Sequence, residues 1–365
     1  MTAWTSTRFT QLLNIELPIV LGPFGGVSSI GLTATVSDGG GLGSFGLYGY
    51  DPDRIRATAR ALDEATARPY ALNLWLPIPG EEPPHPDEAQ FAGFVEILKP
   101  YFEAVGMEPP SMPASYLPDV DGQIQAALEA EPAAISFVFG VPSEEVINAA
   151  HARGIVVIGT ATTVEEALAL ERGGVDAIVA SGMEAGGHKV SFLDEPESSL
   201  IGTFSLVPQV ADAVAVPVIA AGGVADGRGV AAAMTLGAEA VQIGSAFLAT
   251  RQSAASSGYR AALLGPEARQ TVLTRAYSGR LGRGIPNRIA RELAEPGLHA
   301  PFPVQNWLTG QFRTKAAQLD VPELMSLWAG QSAPLISGAL MDDDDAGHLM
   351  RSIVDSTTRI LEDRN

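Results

Sequence analysis

A chain of 365 residues, 46% of them hydrophobic, is long enough to bury a large core, as one barrel with an appendage or as two domains. It contains no cysteine, which excludes a disulfide framework, a thiolate nucleophile and any cysteine-ligated metal or iron–sulfur centre. A formal net charge of −19 disfavours nucleic acid and anionic membrane surfaces as partners and suits a well-dispersed soluble protein.

The N-terminal stretch MTAWTSTRFTQLLNIELP lacks the uninterrupted apolar core of a secretion signal, and no later segment is apolar for the length of a membrane span. Cytoplasmic residence is the expectation. Further along, short apolar runs rich in branched residues alternate with longer helical patterns, the signature of βαβ units and a parallel sheet. Strands are predicted at residues 18–21, 42–45, 70–76, 134–139, 156–160, 177–180, 217–221 and 240–244. Eight strands close a barrel, so the expected fold is α/β, a (β/α)8 TIM barrel with a smaller, mainly helical C-terminal cap.

After the third strand the chain enters a proline-dense excursion, PIPGEEPPHPDEAQ to EPPSMPASYLPD, with a helix predicted over residues 88–105. This insertion, residues 77–131, is either a lid over the barrel mouth or a surface excursion that pads the barrel. Between the fifth and sixth strands, residues 163–172 read as a helix capped by Thr162 or Thr163. Glu165 and Glu166 stand in its positive first turn, Ala167, Leu168 and Leu170 form its packing face, and Gly173 and Gly174 end it. The barrel is assigned to residues 10–255 and the helical cap to 256–340. Residues 341–365 are read as an acidic loop, with Asp342 to Asp345 solvated rather than metal-binding, followed by an amphipathic helix with Ile353 and Leu361 inward. That helix docks on its own barrel or on a second chain, as a homodimer would require.

Two strand ends carry the chemistry. The sixth runs into ASGMEAGGH (180–188), which places a carboxylate, adjacent glycines and a histidine at the C-terminal rim of a barrel. The next two strands repeat the design in PVIAAGGVADGRG (217–229) and VQIGSAF (241–247). Glycines let several backbone N–H groups converge on an anion, and a helix predicted over 227–236 would aim its positive end at the same point. Paired loops of this kind cradle a phosphate. His188 follows glycines at a strand end where no core stripe calls for an imidazole, whereas His85, His151, His299 and His348 read as surface or satisfied core residues. Glu184 reads first as a loop-holding carboxylate that accepts backbone N–H bonds, and second as a base beside His188. Arg280, Arg283 and Arg288 form the densest positive cluster, suited to an anionic group or to docking ion pairs.

The combination of PIVLGPFGGVSS (18–29), ALNLW (71–75), ASGMEAGGHKVSFL (180–193), PVIAAGGVADGRG, VQIGSAFLAT (241–250), SGRLGRGIPNR (278–288) and LWAGQ (327–331) resembles the nitronate monooxygenase family, formerly called 2-nitropropane dioxygenases. The resemblance implies an FMN-dependent barrel that oxidises alkyl nitronates, and possible nitroalkane substrates, with dioxygen to a carbonyl compound and nitrite. It places flavin contacts at Pro23, Gly25, Asn73, Ser181 and Glu184, and phosphate or ribityl contacts at Gly186, Gly187, Gly222, Gly223, Gln242, Ile243, Gly244 and Ser245. It makes His188 the catalytic histidine and requires no metal. Two positions depart from the pattern: Ser181 stands where glutamine is frequent, and Phe24 where methionine is common. The same motifs are similar to those of NAD(P)H-dependent quinone and enoyl reductases on FMN barrels, which stay as an alternative. A flavin-binding protein without turnover is the second alternative.

Overall fold

The computed structural model of the protein describes residues 3–82, 84–340 and 343–362. The strands, in chain order, are β1 (Ile19–Leu21), β2 (Gly43–Gly46), β3 (Tyr70–Trp75), β4 (Ala134–Val138), β5 (Val156–Ala161), β6 (Ala177–Ser181), β7 (Gly187–His188), β8 (Val218–Ala221), β9 (Ala240–Ile243), β10 (Val272–Thr274) and β11 (Gly282–Gly284). Eight of them form one parallel sheet in the order β1-β9-β8-β6-β5-β4-β3-β2. A parallel bridge between Val20 and Leu42 joins the two ends, with Leu21 N–H donating to the Leu42 carbonyl at 2.9 Å and Leu42 N–H to that of Ile19 at 2.9 Å. The chain is a TIM barrel, and each of the eight predicted strands is one of its staves.

The period-two alternation of each stave decides what lies inside. On one side, residues such as Leu72, Leu74, Ile135, Phe137 and Val157 pack against the surrounding helices. On the other, Val20, Ala71, Ala134, Val156, Ala177, Ile219 and Ala240 fill the barrel's lower interior, and Phe9 and Leu13 from the helix Arg8–Leu13 share that cluster. Two residues further along the same inward rows stand Asn73, Ser136, Ile158 and Val179, and further still Thr160, Ser181 and Gln242. The interior therefore changes from apolar at the bottom to small and polar at the C-terminal mouth, which leaves space there and lines it with hydrogen-bonding groups.

The helix Val164–Gly173 forms as its caps dictate: Thr163 accepts from the Glu166 N–H, and Gly174 closes the end at φ +92°. Glu166 stands in the first turn as expected and does more than meet the positive helix end. Its carboxylate is buried and accepts from Thr162 N–H (2.6 Å), Thr162 Oγ1 (2.7 Å), Phe192 N–H (2.6 Å) and Leu193 N–H (3.3 Å), tying the helix to the segment after β7.

The excursion after β3 buttresses the cavity roof and does not form it. Its helix Glu88–Ala104 packs Tyr101 and Phe102 on Phe312 of the helix Val304–Gln318, and Phe91 and Tyr116 approach Trp307 of the same helix. The helix Val304–Gln318 lines the space above the barrel, and none of the described residues of 77–131 does. The helix Val120–Glu129, within that range, packs on the helix Pro52–Ala65 and on β3 and completes the outer ring of the barrel. The region after residue 256 includes the hairpin β10/β11 among its helices. β11 pairs in turn with β7, a three-stranded sheet that the sequence does not announce.

The closing helix Ala346–Glu362 docks on its own barrel, with Ile353 buried, Leu361 partly buried and Ser356 and Thr357 against Gly227. Asp343, Asp344 and Asp345 are surface residues that pair with Arg251; Asp342 lies outside the described residues. No helix among the described residues is long and apolar enough to cross a membrane, and no group of acidic, histidine or cysteine side chains among them is arranged to hold a metal ion.

Candidate active site

At the C-terminal mouth lies a cavity of about 670 Å³, within the range of ligand-holding pockets. Pro23, Gly25, Asn73, Ser181, Glu184, Gly186, Gly187, His188, Gly222, Gly223, Gln242, Gly244 and Ser245 all line it. Ile243 does not. Its side chain is fully buried in the layer between strand and helix, because it is an outward position of β9 next to inward Gln242. Phe24 also lines the cavity, over Gly244.

Gly222 and Gly223 follow β8 with φ of +96° and +75°, which turns consecutive backbone groups to one side as few other residues allow. The helix Gly227–Thr235 that follows, expected from the sequence to aim its N-terminus here, contributes no residue to the cavity lining. Asp226 caps it by accepting from Arg228 and Gly229 N–H, and its first residue abuts the closing helix. The short helix Ser245–Leu248 takes that place: no side chain caps it, and Gly244, Ser245 and Leu248 face the cavity.

The loop 182–187 is clamped from several sides. Glu184 accepts from Thr203 N–H (3.0 and 2.9 Å to its two oxygens) and Thr203 Oγ1 (2.8 Å), the loop-holding role preferred from the sequence. Buried Lys189 donates to the carbonyls of Met183 (3.2 Å) and Ala185 (2.6 Å), and Arg283 Nε to Met183 at 2.9 Å. Burial, then the Arg283 charge, pulls the Lys189 ammonium down to about 7, against an opposing effect of Glu184. Gly186 rests on the backbone of Ala329 and Gly330, where an added Cβ would stand 2.6 Å from the Ala329 carbonyl carbon. The motif LWAGQ is thus the loop's back wall, secured by Gln331 N–H to the Glu184 carbonyl (2.9 Å) and Gly330 N–H to Ser245 Oγ (2.9 Å).

His188 is fixed by its backbone, paired with Gly282 in the small sheet, and by its ring. The imidazole sits among Trp75 and Trp328, each with a centroid 4.9 Å away, and Phe139 at 6.5 Å. Nε2 lies 2.7 Å from Ser278 Oγ. That hydroxyl lies 3.2 Å from the Arg280 carbonyl and accepts from the Arg280 N–H at 3.3 Å, so the ring is anchored through Nε2 whichever of the two atoms carries the shared proton. The ring is half-buried and its open part faces the cavity. Enclosure by apolar rings, reinforced by the charges of Arg280, Arg313 and Lys189, lowers its pKa to about 3. At neutral pH it is an uncharged base.

The three clustered arginines prove to be separate. Arg280 stacks over Phe139 (4.3 Å) and Phe302 (3.8 Å) and pairs with Glu81 of the excursion. Arg283 holds the loop, and Arg288 pairs on the surface with Glu292 at 3.0 Å. None lines the main cavity, which favours the docking reading over the anionic-group one. Several lining residues pass unnoticed in the sequence: Trp75, Trp328, Tyr48, Asn306 and Arg313. Trp75 and Trp328 lie inside the quoted motifs ALNLW and LWAGQ. Nothing in the helical pattern of 304–318 marks Arg313.

A family model described as nitronate monooxygenase matches residues 6–343. The chain belongs to the nitronate monooxygenase family. It is similar to a Staphylococcus aureus (strain Newman) protein called "Probable nitronate monooxygenase", 38% identical over 98% of this chain and 99% of the relative. Among solved structures, it resembles a nitroalkane oxidase from Streptomyces ansochromogenes, with 34% identity, 98% and 99% of the two chains covered and a TM-score of 0.87. FabK from Thermotoga maritima superposes with a TM-score of 0.77 at 30% identity, over 98% of each chain. As a member of the nitronate monooxygenase family, this chain is an oxidoreductase.

Proposed function

We propose that this member of the nitronate monooxygenase family binds FMN in the cavity and oxidises alkyl nitronates, and nitroalkanes after loss of a proton, with dioxygen, to a carbonyl compound and nitrite. The observation that carries this reading is His188, anchored through Nε2 to Ser278 and standing at the wall of a cavity lined by glycine loops. The lining fits the cofactor. Gly25, Gly26 and Gly187 have open space where a Cβ would stand, and at Gly223 the nearest atom is 3.9 Å away, so side chains there would occupy the volume a ligand needs. Gly222, Gly223, Gly244 and Ser245 would hold the phosphate, and Asn73, Ser181 and Gln242 would meet the ring system and its polyol chain.

When bound, the flavin supplies the electron acceptor for the substrate carbon. The chain's own residues do the rest. Asn73 is held by Ser136 through its Nδ2, at 3.0 Å to Oγ and 3.3 Å to the carbonyl, which leaves its Oδ1 free as an acceptor. Trp75, Phe139 and Trp328 flank the imidazole. His188 takes the α-proton of a neutral nitroalkane, and Ser278 Oγ, 2.7 Å from Nε2, holds the ring in place for the transfer. An ionised nitronate omits that step.

Replacement of His188 by Asn is the test. Oxidation of a neutral nitroalkane is expected to fall by about 10²- to 10⁴-fold, and oxidation of the pre-ionised nitronate to fall far less. Equal losses on both substrates would contradict the role of His188 as base. A nicotinamide-driven reductase on the same barrel would instead show no nitronate-dependent turnover in the unaltered protein.

A further inference from the structure

One charged group at the cavity has no task in this account. Arg313 reaches the cavity from the roof helix Val304–Gln318. Its Nη1 donates to Ser326 Oγ, and its Nη2 to the Asn306 carbonyl (3.3 Å) and Asn306 Oδ1 (2.9 Å). Its Nε is buried without an acceptor. No carboxylate is among the groups that act on it; the ones that do are the neutral phenols Tyr277 and Tyr48, and Asn306 donates in turn to Tyr48 Oη at 3.1 Å. Desolvation lowers it only to about 10, so it remains a cation.

Cations withdrawn from solvent are ordinarily paired, and half-buried Arg313, its Nε wholly covered, is fixed by neutral acceptors alone. Glu184 is the one carboxylate that lines the cavity among the described residues, and Thr203 already occupies its oxygens. A chain of net charge −19 thus keeps an uncompensated positive charge at the wall of this cavity. The same charge reaches the imidazole, since Arg313 is among the groups that depress His188.

We propose that Arg313, held by Asn306 and Ser326, is the anion-recognising group of this cavity and supplies the counter-charge for a small planar oxyanion, the nitronate group of the substrate. Because most of its N–H groups are already committed to Ser326 and Asn306, it acts through its charge more than through a two-pronged fork. It is a specificity-determining residue that favours the ionised substrate over the neutral one. This inference rests on the reading of the cavity as the place where a nitronate is oxidised.

The test uses the flavin-loaded protein and nitrate, a planar monoanion that is not turned over, with binding followed by calorimetry and by quenching of the cavity tryptophans Trp75, Trp307 and Trp328. Nitrate is expected to bind the unaltered protein and to compete with the nitronate. Arg313→Gln should weaken it by roughly tenfold or more, while Arg313→Lys, which keeps the charge, should stay within about threefold. Asn306→Asp keeps the arginine and gives it a counter-ion; it should weaken nitrate as well, and it decides the matter if Arg313→Gln does not fold. In Arg313→Gln the His188 titration should also move upward, because one of the charges depressing it is gone. Nitrate binding that is absent from the unaltered protein, or unchanged in both Arg313→Gln and Asn306→Asp, overturns the assignment, as does an equal loss in the Lys and Gln variants. Nitrate binding and nitronate turnover are read separately. Turnover without Arg313-dependent nitrate binding refutes this inference alone, and Arg313-dependent binding without turnover refutes the proposed reaction alone.

Discussion

His188 shows how one side chain acquires its chemistry from its surroundings. The hydroxyl of Ser278 anchors one ring nitrogen, two tryptophans and a phenylalanine flank the ring, and burial followed by three cations lowers its pKa to about 3 from an ordinary 6.5. Stability is linked to that shift with a definite sign. Between those two values the unfolded chain binds a proton that the folded chain refuses, so the contribution of His188 to stability is complete above about 6.5 and declines as pH falls toward 3. Urea titrations from pH 7 to pH 4 should therefore show a steeper acid loss in the unaltered protein than in His188→Gln; parallel curves would mean that the imidazole is not held neutral. At Ser278, replacement by Ala removes the hydrogen-bond partner that anchors the ring. Nitroalkane oxidation should drop by about tenfold or more while nitronate oxidation is largely kept, which paired rate measurements can check.

At the scale of the elements, the loop 182–187 is held by contacts to four separate parts of the chain. Thr203→Val leaves the Glu184 carboxylate without its hydroxyl donor, and thermal or urea unfolding should register a loss of about 1–3 kcal/mol. Gly186→Ala is expected to be worse than an ordinary surface glycine substitution, because its Cβ meets backbone rather than a movable side chain. The helix Val164–Gly173 illustrates what could be read beforehand. Its caps, its buried Ala167 and Leu170 and its glycine stop follow from local rules, as do the eight barrel strands. What else Glu166 holds lay beyond the same rules, because its four hydrogen-bond donors include Phe192 and Leu193, some 26 residues away. The pairing of β7 with β11 was equally invisible: two residues with glycine in one strand and glycine at both ends of the other carry no alternation to detect.

For the whole molecule, the fold and the rim that carries the chemistry were both legible, since strand ends rich in glycine mark the mouth of a barrel. The roof was not. The proline-dense excursion drew attention as a lid, yet it supports the helix Val304–Gln318 from behind through Phe91, Tyr101, Phe102 and Tyr116. Which of two layers faces a cavity depends on packing between segments some two hundred residues apart, and no local pattern encodes it. A roof built this way predicts that Trp307→Ala, by removing the ring between the two layers, costs about 3–5 kcal/mol if the contact is fully buried and less in proportion to its half-exposure. The cost should be read from unfolding of the flavin-free protein, and flavin affinity should weaken with it.

The central claim is that the cavity oxidises a nitronate, and anaerobic mixing tests it most directly. Purified yellow protein would be combined with propyl-2-nitronate in one cuvette and with NADH or NADPH in another, with flavin absorbance followed in both. The account predicts bleaching by the nitronate alone, whereas rapid bleaching by a nicotinamide with none by the nitronate would contradict it.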